Sequence, residues 1–193
     1  MKFGVNAWVW VSPCTTDELA ALAPKVKLMG FDILEIPIEG TFDLDYVAGA
    51  QILKDNGLTG TMCAAMGPDR DLIHDDAKIR ENGMNYIRHC IDAAHTLDIV
   101  NIVGPIYSAV GRVWQQSPAD RARDLDLLVK NLSELSAYAH DKGVVLCIEP
   151  LNRFETSFIN LATQAIEVID RVNSPSCKIM LDTFHMNIEE KSL

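Results

Sequence analysis

The chain has 193 residues, of which 48% are hydrophobic and 23% are charged, and this composition excludes a disordered, collagen-like or coiled-coil protein. Seventeen Lys and Arg residues against 27 Asp and Glu residues leave a net charge of −10. Because no stretch of the sequence concentrates basic residues, this charge disfavours nucleic acid and anionic lipid as partners. The length suits one domain with a single core, which we assign to residues 1–193.

The five cysteines are odd in number, widely spaced and free of any C-x-x-C pair. This pattern predicts neither a disulfide framework nor a zinc knuckle and is typical of a reducing compartment. The first apolar run, residues 3–11, is too short to span a membrane and lacks the basic flank and cleavage site of a signal peptide. We therefore expect a cytoplasmic protein with no membrane partner.

Short apolar runs rich in β-forming residues alternate along the chain with longer amphipathic stretches. The predicted strands cover residues 3–9, 32–38, 58–65, 99–104, 144–150 and 177–183. The predicted helices cover about residues 16–29, 43–55, 75–97, 118–141 and 161–173. This alternation is typical of repeated βα units around a parallel sheet.

Several predicted helix boundaries carry recognisable capping residues. Thr15 or Thr16 followed by Glu18 suits a helix start, and Ser117 before Pro118 supplies an N-cap and a proline in the first turn. Three glycines each stand between a predicted helix and the next predicted strand: Gly30, Gly57 and Gly143.

Two architectures fit such a series, a doubly wound open sheet and a (β/α)8 TIM barrel. Residues 10–15, after the first strand, contain no glycine, and no G-x-x-x-x-G-K-[ST] motif occurs, so no nucleotide cofactor is expected. Glu149 closes the fifth strand and Asp182 the sixth, where barrel enzymes place their active-site residues. The sequence therefore favours an α/β fold of the TIM barrel type, of which this chain supplies about the first six βα units.

Glu149 and Asp182 are candidate metal ligands. Acids at the same end of adjacent parallel strands stand about 5 Å apart along the sheet, and such a pair of like charges is relieved by a hard divalent cation. Mg²⁺ or Mn²⁺ suits this oxygen set, and Co²⁺ becomes suitable if an imidazole such as that of His185 joins. The alternative for each acid is a structural role as the cap of the following loop or helix.

Two long motifs around these acids resemble those of a known family. Residues 146–155 (LCIEPLNRFE) and 179–190 (IMLDTFHMNIEE) closely resemble motifs of the ketose 3-epimerases, which act on D-tagatose and on D-psicose, also named D-allulose. These enzymes belong to the xylose isomerase-like barrel superfamily. A weaker resemblance extends over the whole chain, through residues 1–4 (MKFG), 30–35 (GFDILE) and 66–68 (MGP).

The resemblance implies that Glu149 is both a metal ligand and an acid/base carboxylate, and that Asp182 is a second ligand. It implies that Glu155 and His185 bind the substrate. Asn6 and Met66 match strand-end positions that line the pocket, although many relatives carry an aromatic residue where Asn6 stands. Separately, the aromatic and apolar residues suited to form a wall against a sugar face are Trp8, Trp10, Met66, Trp114 and Phe154.

The implied function is a metal-dependent inversion at C3 of free ketohexoses (tagatose/sorbose, psicose/fructose) through a cis-enediolate, with Mn²⁺ expected and Co²⁺ or Mg²⁺ as alternatives. In the resembling enzymes a His ligand and a Glu, which is also the second acid/base, come from strands seven and eight. We therefore expect the 193 residues alone to be inactive, and the complete enzyme to be a homodimer or homotetramer. The alternatives are another sugar isomerase or inosose-dehydratase-like enzyme and a non-catalytic sugar-binding remnant, whereas the acidic composition disfavours a nuclease.

Overall fold

The computed structural model describes residues 1–40 and 44–192. Within these residues six strands form one sheet: β1 (Gly4–Asn6), β2 (Ile33–Pro37), β3 (Thr59–Cys63), β4 (Asn101–Gly104), β5 (Val145–Ile148) and β6 (Cys177–Ile179). The strands follow one another in chain order, and every neighbouring pair is parallel. A doubly wound sheet reverses its strand order, so this order is that of a TIM barrel and confirms the predicted fold class.

The helices that alternate with these strands are α1 (Thr16–Leu28), α2 (Tyr46–Asp55), α3 (Ala77–Thr96), α4 (Pro118–Asp141), α5 (Ala162–Val172) and α6 (Thr183–Glu189). The predicted helices 16–29, 75–97, 118–141 and 161–173 are confirmed to within two residues at each end. Residue 43, where the second predicted helix begins, lies outside the described residues. None of the described helices is long and apolar enough to cross a membrane.

The capping residues act as the sequence predicts. The Thr15 hydroxyl accepts the N–H of Glu18 at 3.2 Å, and the Ser117 hydroxyl accepts the N–H of Asp120 at 3.1 Å. The glycines after the first, second and fourth helices all have positive φ: Gly30, Gly57 and Gly143. Each of these helices therefore ends in the left-handed conformation that glycine adopts at no steric cost.

The two edge strands of the sheet, β1 and β6, are shorter than predicted. Residues 7–9 form a 3-10 helix, which Asn6 caps by accepting the Trp8 N–H at 2.8 Å, instead of continuing β1. The sixth strand was predicted to reach residue 183, and this was wrong, because β6 ends at Ile179 and Asp182 caps the additional helix α6.

Side chains alternate across the sheet, and this alternation separates the core from the barrel interior. The fully buried strand residues belong to one continuous apolar core with the buried faces of the helices: Leu34, Ile36, Met62, Ile102, Leu146 and Ile148. Glu35, between two of these residues on β2, lies on the other face and accepts hydrogen bonds from Asn6 at 2.9 Å and Thr61 at 3.0 Å. Asn6, Glu35 and Thr61 therefore form a polar group on the inner face of the sheet.

Candidate metal and substrate site

Glu149 lies immediately beyond β5, where a close approach of three strands fixes its backbone. Its N–H donates to the carbonyl of Gly104 at 3.1 Å. Gly104 has a φ of +129°, and a Cβ there would lie 2.2 Å from the carbonyl oxygen of Ala64. Only glycine allows this approach of β3 and β4, so the end of β4 and the position of Glu149 depend on it.

The Glu149 side chain is buried among other acids. The residue is 8% exposed. Burial, followed by the negative charges of Asp182, Glu35 and Glu155, raises the pKa of Glu149 to about 8. Its polar neighbour His185 places Nε2 3.7 Å from Oε1, which is beyond hydrogen-bonding distance. The surroundings therefore disfavour the ionised form of Glu149, which a bound cation would stabilise.

Asp182 uses its two carboxylate oxygens differently. Oδ1 accepts the N–H of Phe184 at 2.7 Å and caps α6, as the structural alternative requires. Oδ2 lies 3.9 Å from Nε2 of His185. One potential ligand atom from each of Glu149, Asp182 and His185 lies within 4.8 Å of the others. The cap therefore leaves one oxygen of Asp182 directed toward the cluster.

The hydrogen bonds of His185 assign its tautomer. Its Nδ1 accepts the backbone N–H of Asn152 at 3.1 Å, and a peptide N–H can only donate. The neutral ring therefore carries its hydrogen on Nε2, which faces Glu149 and Asp182. In this tautomer His185 offers these acids an N–H donor and no lone pair, so the geometry favours hydrogen bonding to an oxygen over metal ligation.

Asn152 is a residue of the site that the sequence reasoning missed. It is 2% exposed, and its Oδ1 accepts the N–H of Phe154 at 3.0 Å, which leaves the amide NH₂ to donate. That group lies 2.8 Å from Oε1 of Glu155 and 2.9 Å from Nδ1 of His185. Asn152 thus holds Glu155 and His185 side by side; its only signal in the sequence was its place in the motif between Glu149 and Glu155.

Arg153 fastens the loop after β5 to α6. Its backbone N–H, Nε and Nη2 donate to the carboxylate of Glu189 at 2.7, 2.9 and 2.9 Å. The pair also lowers the pKa of Glu189. Because Glu189 is the last residue of α6, which carries His185 and is capped by Asp182, this pair joins the loop of Glu155 to the far end of that helix.

The other predicted site residues lie in three separate surroundings. Asn6 donates to Glu35 on the inner face of the sheet. Met66 is fully buried, and its Cε lies 3.0 Å from the position of a Cβ on Gly83 of α3. Trp114 is 56% exposed in the loop between β4 and α4. Their roles in lining a pocket stay predictions.

The donor set fits a divalent metal. Two carboxylates that approach each other at the ends of adjacent strands supply hard oxygen ligands. Burial and, after it, the charge of Asp182 raise the pKa of Glu149, and a cation would oppose both effects by stabilising the ionised carboxylate. Glu149 and Asp182 are therefore the residues that would hold the ion, with His185 beside it as a donor.

The chain belongs to the xylose isomerase-like TIM barrel family, whose model matches residues 24–192. Several of its relatives are named D-psicose, ketose or L-ribulose 3-epimerase. It is 34% identical over 197 residues to the D-psicose 3-epimerase of Agrobacterium fabrum, a match that covers 100% of this chain and 67% of the relative.

Two solved structures have the same architecture. The D-psicose 3-epimerase of Clostridium cellulolyticum with D-tagatose superposes with a TM-score of 0.88 at 31% identity, covering 100% of this chain and 67% of that structure. The D-allulose 3-epimerase of Methylomonas sp. in complex with D-allulose gives 0.90 at 27% identity, covering 99% and 65%. The chain spans about two thirds of the length of the curated relatives it matches.

Proposed function

We propose that the protein is a metal-dependent ketose 3-epimerase that inverts C3 of free ketohexoses, the tagatose/sorbose and psicose/fructose pairs. The observation that carries the proposal is the buried Glu149 beside Asp182 at the carboxyl ends of adjacent strands, with the pKa of Glu149 raised to about 8. The names of the relatives support the same activity.

Glu149 is suited to move the C3 proton. In a ketose this proton is alpha to the C2 carbonyl, so its removal gives a cis-enediolate. The strength of a general base follows its pKa, and in the metal-free protein burial among acids raises the pKa of Glu149 above that of an ordinary carboxylate. A bound divalent ion, held by Glu149 and Asp182, would act as a Lewis acid that stabilises the negative charge on the substrate oxygens. We propose Mn²⁺ for this ion, with Co²⁺ and Mg²⁺ as alternatives.

His185 and Glu155 are suited to orient the sugar. The Nε2–H of His185 is fixed by the bond from Asn152 to the opposite ring nitrogen and points toward the carboxylate cluster. Glu155, held by the Asn152 amide at 2.8 Å, presents an acceptor for a sugar hydroxyl. A donor and an acceptor in fixed positions beside the base select one presentation of the C2–C3 bond.

The charges of the site support an uncharged sugar as substrate. The inner face and mouth of the sheet are acidic around Glu149. The negative charges of three further acids all reach its carboxylate: Asp182, Glu35 and Glu155. Arg153, the basic side chain of the adjoining loop, is engaged by Glu189. A sugar phosphate would be repelled by this field, whereas a neutral ketose is not.

Inversion needs a second carboxylate on the opposite face of the substrate. We propose that it comes, together with further metal ligands, from strands seven and eight of a complete barrel, and that residues 1–193 form one domain with them. β1 and β6 each pair with one strand within the described part of the chain, which leaves both edges able to accept such strands. We also propose a cytoplasmic homodimer or homotetramer, the location resting on the five cysteines, all of them free.

The test uses the protein at its full natural length, freed of metal and reloaded with Mn²⁺. D-fructose and D-tagatose are each incubated with it in D₂O and followed by NMR. Formation of the C3 epimer with deuterium at C3 is the expected result. An aldose product or loss of water supports another enzyme of the superfamily, and sugar binding without turnover supports a non-catalytic remnant; either result would overturn the proposal.

A further inference from the structure

Arg112 is a buried arginine in the loop between β4 and α4 that the mechanism above does not use. Its side chain is 7% exposed, and its charge is met by two buried acids. Nη2 lies 2.7 Å from Oδ2 of Asp124 on α4, and Nη1 lies 3.6 Å from Oδ2 of Asp71 in the loop after β3. The guanidinium therefore joins two consecutive loops to the helix behind them.

The backbone of the same segment holds the loop that carries Glu155. Arg112 forms an isolated parallel bridge with Thr156, and its carbonyl accepts the N–H of Ser157 at 2.8 Å. The N–H of Gly111 donates to the carbonyl of Glu155 at 2.7 Å. Displacement of Arg112 would thus move the backbone of residues 111–112, which is hydrogen-bonded directly to Glu155.

The guanidinium also faces Trp114. Its Cζ lies 4.9 Å from the centre of the indole ring, within the range of a cation–π contact. The Trp114 carbonyl accepts a hydrogen bond from the Ser157 hydroxyl at 2.8 Å. Ser157 therefore contacts the backbone of Trp114, while Arg112 contacts its ring. A planar guanidinium can pair with a carboxylate and lie against an aromatic ring at once, whereas a lysine ammonium is a point charge.

Burial of three charged groups is a weak source of stability, because desolvation opposes the attraction between them. What the arrangement does provide is a fixed position for the segment 111–114. We propose that Arg112 is a positioning residue: it orients Trp114 and the Glu155 loop against the sugar and thereby sets the affinity for ketose. The inference rests on the proposed function for its kinetic part, and on geometry alone for the contact with Trp114.

The test combines Arg112→Lys and Trp114→Ala in a double-mutant cycle, in the full-length protein loaded with Mn²⁺. Arg112→Lys keeps the buried charge and loses the stacked plane. Each single variant is expected to raise KM for the ketose about tenfold while kcat changes less than about threefold. The double variant is expected to raise KM no further than Trp114→Ala alone, because both changes remove one interaction. Arg88→Lys, at an exposed ion pair with Glu134, is the matched control and leaves both constants unchanged.

A second readout separates this inference from the proposed function. Acrylamide quenching of tryptophan fluorescence, measured without sugar, should increase in Arg112→Lys and in Asp124→Asn but not in Arg88→Lys. If the unmodified protein turns over no ketose, the proposed function fails, and increased quenching still supports the positioning of Trp114. If Arg112→Lys does not fold, Asp124→Asn decides by the same readouts. Wild-type KM and quenching in the variants, or an increase in KM that is additive in the cycle, would overturn the inference.

Discussion

Nε2 of His185 lies 3.7 Å from Oε1 of Glu149, while the opposite nitrogen of the same ring accepts the N–H of Asn152 at 3.1 Å. The backbone of the loop after β5 thus fixes which nitrogen of a residue on α6 faces the carboxylate. Because Arg153 and Glu189 join the same two segments, the arrangement is held at two points. The imidazole of His185 therefore presents its Nε2–H donor in a fixed position beside the carboxylate of Glu149.

Replacing Glu149 with Gln is expected to lower exchange of the C3 proton at least about 100-fold, the lower bound for removal of a general base. The amide keeps the shape of the side chain and loses its basicity and charge, so the fold should persist. Deuterium incorporation at C3 measures the rate, and circular dichroism checks the fold. Glu134→Gln, on the exposed face of α4, serves as the control. Exchange within about tenfold of the wild-type rate would remove Glu149 from the acid/base role.

His185→Asn separates substrate binding from metal binding. The Asn side chain oxygen can still accept the N–H of Asn152, but the donor at Nε2 is lost. We expect the dissociation constant for Mn²⁺ to stay within about threefold, and KM for the ketose to rise about tenfold, the loss of one hydrogen bond to a substrate oxygen. Titration calorimetry with Mn²⁺ measures the first quantity. A large loss of Mn²⁺ affinity would mean that His185 ligates the metal through the other tautomer.

Asp182 carries two roles that different substitutions separate. Asp182→Asn keeps the cap on α6, since asparagine is as good an N-cap as aspartate, and removes the charge toward the cluster. Mn²⁺ affinity should fall, and excess Mn²⁺ should restore part of the activity. Asp182→Ala should lose the cap as well and reduce the free energy of unfolding by about 1 kcal/mol more, measured with urea. An Asp182→Asn protein that binds Mn²⁺ normally, or that no Mn²⁺ concentration rescues, would leave Asp182 a purely structural residue.

Features set by local sequence were predictable, and features set by distant contacts were not. The caps at Thr15 and Ser117 depend on neighbouring residues and were confirmed. The position of Glu149 after a buried strand followed from the alternation of elements. Helix α6 was missed because its seven residues directly follow an apolar run that was assigned to the strand.

Arg112 illustrates the second group. A single arginine in a loop predicts an exposed side chain. It is buried because Asp71 and Asp124, which are far from each other along the chain, meet it in the fold. Asn152 is similar, since its importance arises from burial between Glu155 and His185 and not from its residue type.

The raised pKa of Glu149 predicts how stability depends on pH in the metal-free protein. The pKa is about 8 in the folded protein, against an ordinary value of 4.5 for the unfolded chain. Between these values the folded state keeps a proton that the unfolded state has released, so the free energy of unfolding falls as pH rises. The contribution is complete below pH 4.5 and is lost as pH passes through about 8.

Urea unfolding with EDTA, from pH 5 to 9, should therefore show wild-type stability falling relative to Glu149→Gln, which cannot titrate. Saturating Mn²⁺ should reduce this fall, because an ion held by the ionised carboxylate favours the form that dominates at high pH. A difference between the two proteins that stays constant across this range would mean that Glu149 ionises normally in the folded state.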